Sequence, residues 1–311
     1  MKVTVKDLLK DKKKDLSLEL ATGEAGLGKE ITVADVNRCG LALSGFFAYF
    51  AAERVQVLGN AEVEFLKTIE LEKKKKVFKQ IFSRPIPLLV LCRGFSAGKE
   101  LLEAAEQYRV PVIKTPINTT KFISEITAYL EGKLAPRKKI HGVLLDVYGV
   151  GVLITGKSGV GKSECALDLV KRGHRLVADD IVEVVRAADK GLYGSPQKLL
   201  RFYLEVRGLG IVNIKELFGV GATRDRKRIE VVIDLEEWND KKSYERIGNT
   251  EAVRELLEVK IPMICLPVKP GRNIAILIEV AAMQERLKKM GYSTMDELEK
   301  NFRLETGKRE P

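Results

Sequence analysis

Histidine is almost missing from this chain. Only His141 and His174 occur among 311 residues, which excludes zinc sites built on several imidazoles. Cysteine is scarce too: Cys39, Cys92, Cys165 and Cys265 stand far apart with no C-x-x-C pair. They read as four reduced thiols of a cytosolic protein, not as a disulfide framework. The residue counts permit a Ser-His-Asp hydrolase, but no G-x-S-x-G elbow supports one. No uninterrupted apolar run approaches the ~20 residues of a membrane span. The opening segment MKVTVKDLLKDKKKDL lacks the apolar core of a secretory signal, so a cytoplasmic protein with no membrane partner is expected.

Hydrophobic residues make up 45% of the chain, an ordinary globular share that excludes a disordered tail protein. Lys and Arg number 54 against 43 Asp and Glu, for a net charge of +11. Such a surface attracts anions, whether nucleotide, acidic protein, nucleic acid or membrane, and does not choose among them. A chain of 311 residues favours two domains, or one large one.

The first part, residues 1–130, reads as an α/β domain. Short apolar runs at 31–33, 55–59, 87–92 and 110–113 predict strands, and helices are expected from Asn60 and over 101–108. Asn118 should cap a helix that carries Phe122, Ile126 and Leu130 on one face. Strands alternating with helices imply a parallel sheet. The lysines at 73–76 read as a solvated helix face in preference to a nucleic-acid patch. Residues 131–139, with Gly132, Pro136 and four cations, read as a linker, leaving 140–311 as a second domain. It opens with strand candidates at 140–147 and 151–155, joined at Tyr148-Gly149.

Gly156, Lys157, Ser158, Gly159, Val160, Gly161, Lys162 and Ser163 match G-x-x-x-x-G-K-[ST] in full. The motif follows an apolar strand and precedes a helical segment that should end at Gly173, the strand–loop–helix setting a phosphate loop requires. Its glycines let backbone N–H groups surround phosphate oxygens. Lys162 should reach the β/γ-phosphates and the Ser163 hydroxyl should bind Mg²⁺. A nucleoside triphosphate or another polyphosphate is the expected ligand.

Two later apolar runs end in aspartate. The first ends in Asp179-Asp180, and ligands of open α/β sheets sit at the carboxyl ends of strands. That pair should face the phosphates, to bind Mg²⁺ or accept a proton. Asp234 reads instead as an exposed strand end. Glu205 and Arg207, two apart, would share one face of a strand, before Gly208 and Gly210 permit close backbone approach. On residues alone this is equally a surface salt bridge before a turn. Pro267 to Arg272 suits a plain turn or an anion site at a helix entry. The helix after Asn273 is apolar nearly all round, so it should be buried in the domain or in a subunit interface, and Gly291 should end it. His174 follows the helix-ending Gly173 and reads as a structural cap.

These segments together resemble bacterial HPr kinase/phosphorylase. The resemblance rests on residues 154–164 and 172–180, and on the family signature Leu204, Glu205, Val206, Arg207, Gly208, Leu209, Gly210, Ile211, Val212 and Asn213. Residues 141–149 and the stretch Pro267, Val268, Lys269, Pro270, Gly271, Arg272 and Asn273 also match, so the likeness spans about residues 140–290. It implies a P-loop kinase domain akin to phosphoenolpyruvate carboxykinase behind an N-terminal α/β domain. It further implies ATP- or pyrophosphate-dependent phosphorylation of a regulatory serine on HPr, and removal of that phosphate by inorganic phosphate with release of pyrophosphate. Control of carbon metabolism, a homohexamer and no nucleic-acid partner come with it. Ser163 and Glu205 match the family's Mg²⁺ positions, and His141 matches an active-site position. Lys162 and Arg246 would offset charge on the transferring group. An aspartate of the pair, Asp180 in preference to Asp179, would take the serine proton and return it in the reverse direction. The family assigns Pro267 to Arg272 to the phosphorolytic direction.

Two other classes compete: a P-loop kinase of a small metabolite, and a nucleotide-dependent switch or nucleic-acid-binding ATPase. The acceptor that stimulates ATP use, HPr or a small substrate, separates the leading reading from the metabolite kinase. A salt-sensitive response to nucleic acid marks the nucleic-acid-binding ATPase.

Overall fold

The computed structural model describes residues 2–241 and 252–306. These fall into two compact units, divided between Ala135 and Pro136. The first is built on a five-stranded sheet in the order Glu19–Thr22, Val112–Lys114, Leu89–Leu91, Val55–Leu58, Val36–Arg38. Only the first pairing is antiparallel. Val55–Leu58 and Leu89–Leu91 are buried throughout, because a parallel sheet is covered on both faces. Alternate residues feed two cores: Val55, Val57 and Val90 join Phe122, Ile126 and Leu130, while Leu58, Leu89 and Leu91 join Phe78, Ile81 and Leu101.

Several expected elements are shifted. The run at 31–33 contributes only Glu30–Ile31, paired with Val3–Thr4 outside the main sheet. Gly59, not Asn60, is the capping residue of helix Asn60–Thr68, and its amide donates to the Glu62 carboxylate at 2.9 Å. The lysines at 73–76 lie on helix Leu71–Phe82, away from its buried residues Val77, Phe78, Ile81 and Phe82. Regular structure also runs into 131–139: helix Thr119–Leu134 continues to Leu134 and strand Arg137–His141 follows. One glycine does not stop a helix whose buried face is already set by Phe122, Ile126 and Leu130.

The second unit has three layers. A six-stranded sheet runs Arg175–Ala178, Val143–Val147, Val150–Gly156, Val231–Glu237, Val259–Val268, Val253–Leu256. Strand alternation assigns its faces. Val143, Leu145, Val152, Ile154, Val231 and Ile233 pack with helices Lys162–Lys171 and Ile274–Lys289. Leu144, Leu153 and Val232 point the other way, onto a four-stranded antiparallel sheet of Lys227–Arg228, Leu192–Pro196, Ile181–Arg186 and Arg137–His141. The apolar run at 140–147 is therefore not one strand. At Gly142 it crosses from the small sheet to the large one, where a Cβ would lie 2.4 Å from the Ile154 carbonyl oxygen.

Candidate active site

Strand Val150–Gly156 leads into the glycine loop and helix Lys162–Lys171 leads out of it. Gly156 is pressed against the neighbouring strand: a Cβ there would sit 2.3 Å from the Leu235 carbonyl oxygen. The ammonium of Lys162 donates to the carbonyl oxygens of Gly156 at 3.1 Å and Lys157 at 2.9 Å, closing the loop on itself. Lys157, Ser158 and Gly159 are exposed, whereas Val160 tucks its side chain into the core. The guanidinium of Arg207 covers Gly159, with nitrogens 2.9 and 3.1 Å from where a Cβ would be.

Asp179 and Asp180 follow strand Arg175–Ala178 at the same edge. Asp179 is buried and its two carboxylate oxygens are engaged. The Ser163 hydroxyl donates to Oδ1 at 3.1 Å and the Glu205 amide donates to Oδ2 at 2.9 Å. Burial pushes its carboxyl up, against the opposing effect of those hydrogen bonds. Asp180 adopts φ +61°, a left-handed conformation that aspartate tolerates better than most residues, and turns the chain into strand Ile181–Arg186. Its side chain is 60% exposed, and His141 Nδ1 lies 3.6 Å from its Oδ1. The Gly142 amide donates to the Asp180 carbonyl oxygen at 3.0 Å, which fixes the two tips together.

The signature segment forms a hairpin, Tyr203–Val206 with Gly210–Asn213. Leu204 and Val206 are buried and Glu205 faces outward between them. Arg207 does not share a strand face with Glu205. It lies in the turn, where Gly208 and Gly210 both have positive φ, and this frees its side chain to reach the loop at Gly159. Leu209 and Ile211 are exposed, while Val212 and Asn213 are half-buried. Pro267 and Val268 end the long strand Val259–Val268, and Lys269, Pro270 and Gly271 turn the chain toward helix Ile274–Lys289. Arg272 donates to the Pro267 carbonyl oxygen at 3.3 Å, and Asn273 caps the helix through the Ile276 amide. Arg272 and Asn273 line a cleft of about 330 Å³ together with Val160, Gly161 and Glu164, so this turn and the glycine loop share one opening. Lys269 stacks over the Trp238 ring instead, 5.2 Å from its centroid.

Arg246 lies outside the described residues. Asp234 is not a strand end, because its strand runs on to Glu237. It is half-buried and accepts the Thr155 hydroxyl at 2.6 Å, and Thr155 in turn accepts from Arg254 at 2.9 Å. Local sequence carries no signal for this trio, since strand register alone brings it together. His174 is a structural cap, as expected: its amide donates to the Leu169 carbonyl oxygen at 3.1 Å, and its side chain adds a second tie, with Nε2 2.9 Å from Glu279 Oε1 on helix Ile274–Lys289. That helix buries Ala275, Ile278, Ala281 and Ala282 and exposes Ile276, Val280, Met283 and Leu287, so among the described residues only one face is covered.

Residues 3–130 match the family model described as HPr Serine kinase N terminus, and residues 132–302 match the HPr Serine kinase C-terminal domain. The HPr kinase/phosphorylase of Geobacillus kaustophilus is 48% identical over 296 residues, covering 95% of this chain and 94% of that protein. The corresponding protein of Bacillus subtilis is 46% identical with the same coverage, 95% and 94%. Among solved structures, the Hpr(Ser) kinase/phosphatase from Coxiella burnetii is 32% identical, with a TM-score of 0.46, covering 52% of this chain and 98% of that one. With both units matched in order and nearly half of the aligned residues identical over 94% of a relative's length, the chain belongs to the HPr kinase/phosphorylase family.

Proposed function

We propose that the chain transfers a phosphoryl group from ATP or pyrophosphate to a serine of HPr, and removes it again with inorganic phosphate as acceptor, in control of carbon metabolism. The unlike settings of the two aspartates beside the glycine loop are the observation that supports this most. Asp179 is buried and bonded to Ser163, whereas Asp180 is exposed beside His141 where a protein substrate can reach it.

In the forward direction the loop's backbone and Lys162 hold the donor phosphates, and Asp180 takes the proton from the serine hydroxyl as its oxygen attacks phosphorus. The bond from the terminal phosphorus to its bridging oxygen breaks, and ADP or orthophosphate leaves. In reverse, a phosphate oxygen attacks the phosphoserine phosphorus, the serine oxygen leaves with the proton held by Asp180, and pyrophosphate is formed. Arg272 holds the incoming phosphate, a role supported by its position at the shared cleft, and Arg246 takes the charge-offsetting role that the family resemblance gives it.

The Ser163 hydroxyl and the Asp179 carboxylate, 3.1 Å apart, are oxygen donors suited to Mg²⁺, with Glu205 next to them along the hairpin. Mg²⁺ bound at a phosphate loop commonly takes one or two protein oxygens and draws its other ligands from phosphate and water. When bound, Mg²⁺ supplies charge neutralisation on the donor. Kinship of the second unit with phosphoenolpyruvate carboxykinase, homohexameric assembly and a cytoplasmic setting belong to the same reading. Incubation with ATP, Mg²⁺ and purified HPr, followed by mass spectrometry, should show one added phosphoryl group on a single serine. ATP consumption that leaves HPr unmodified and depends on a small metabolite would overturn the proposal.

A further inference from the structure

Thr155 stands immediately before Gly156, at the root of the glycine loop, and is almost fully buried. Its alternation with Leu153 places it on the face of the sheet that meets the small antiparallel sheet, and Asp234 and Arg254 occupy the same face by the same rule from Val232 and Leu256. Parallel register sets Thr155 directly beside Asp234, and Gly156 beside Leu235. The Thr155 hydroxyl donates to Asp234 Oδ1 at 2.6 Å and accepts from the Arg254 guanidinium at 2.9 Å.

An ionised carboxylate only accepts and a guanidinium only donates, so the single hydroxyl between them has one allowed orientation. Asp234 belongs to a strand beside the loop strand, and Arg254 to the edge strand Val253–Leu256, two strands further out. Both hydrogen bonds involve a charged partner, the stronger kind. The bridge therefore ties the edge of the sheet to the residue from which the loop departs. It also holds a cation one hydroxyl away from the site of a polyphosphate.

We propose that Arg254, Thr155 and Asp234 form a positioning bridge that sets the loop's affinity for the phosphoryl donor. This rests on the reading of the loop as the donor site. The hydrogen bonds of the bridge run among these three residues and not to Asp180, so it acts on donor binding and not on proton transfer. Thr155→Val keeps the β-branched shape and removes the hydroxyl. It should raise KM for ATP about tenfold while kcat at saturating ATP stays within about twofold, the pattern of an interaction present equally in ground and transition states. Thr155→Ser, which restores the hydroxyl, should return KM to the wild-type value. Arg254→Met should weaken ATP in the wild-type background but add nothing to Thr155→Val, because both remove the same bridge.

Binding of a fluorescent ATP analogue, measured without HPr, gives the same comparison independently of catalysis. Wild-type protein that binds the analogue but leaves HPr unmodified would count against the functional reading alone. Additive losses for Arg254→Met and Thr155→Val would overturn the bridge. So would a Thr155→Val protein, with wild-type thermal unfolding, that binds the analogue normally or that loses kcat in place of affinity.

Discussion

Asp179 and Asp180 are identical side chains one residue apart, and the backbone gives them opposite surroundings. Just past the strand end, Asp179 points inward, where Ser163 and the Glu205 amide occupy its oxygens. The left-handed turn at Asp180 then projects the second carboxylate outward beside His141. A general base needs access to the acceptor, and a buried carboxylate already bonded to the loop lacks it. Asp180→Asn should therefore lower both phosphorylation and phosphorolysis by about 10²–10⁴-fold with little change in nucleotide affinity. Asp179→Asn should weaken Mg²⁺-nucleotide binding, measured by titration calorimetry. If the Asp179 variant loses turnover at unchanged affinity while the Asp180 variant stays active, the roles are reversed. From sequence, the pair was visible as a pair, but its division of labour depends on one φ angle and two long-range hydrogen bonds.

Among the elements, the turn from Pro267 to Arg272 connects strand and helix beside the loop. Its sequence allowed a plain turn or an anion site. The shared cleft with Val160 and Gly161 favours the anion site for Arg272, while Lys269 is engaged with Trp238. Phosphorolysis brings a free phosphate next to a bound one, so it needs positive potential that the kinase direction needs less. Arg272→Ala should lower initial rates of phosphorolysis several-fold more than those of phosphorylation, on one preparation with phosphate varied. Equal losses would move Arg272 to a packing role.

In the first unit, the start of helix Asn60–Thr68 depends on Glu62, which receives the Gly59 amide and pairs with Arg38 at 2.8 Å. Burial alone would raise its carboxyl, but Arg38 and the amides outweigh burial and hold it below the usual value of 4.5. A depressed carboxyl stabilises the fold above its unfolded pKa. That contribution is lost as pH falls from about 4.5 through the lower folded value. Glu62→Ala should cost about 2 kcal/mol at neutral pH, since it leaves a buried amide without its acceptor. The difference from wild type, followed by denaturant unfolding, should shrink in acid. A difference that grows on acidification would contradict the assignment.

Across the whole molecule, what was legible in the sequence was what neighbouring residues decide. The glycine loop, the Asn118 cap and the terminating Gly173 and Gly291 all rest on local chemistry. The crossing at Gly142, the reach of Arg207 over Gly159 and the Thr155 bridge rest on contacts far apart in the chain, and periodicity cannot register them. In the proposed function one site runs transfer in both directions, with phosphate and not water as the acceptor in reverse. The most direct measurement supplies phosphoserine-HPr and ¹⁸O-labelled inorganic phosphate in the presence of Mg²⁺, and identifies the product by mass spectrometry. Pyrophosphate carrying the label in one of its two phosphoryl halves, formed in step with loss of phosphoserine, is the predicted result. Dephosphorylation that proceeds without added phosphate and yields only unlabelled orthophosphate would contradict the account.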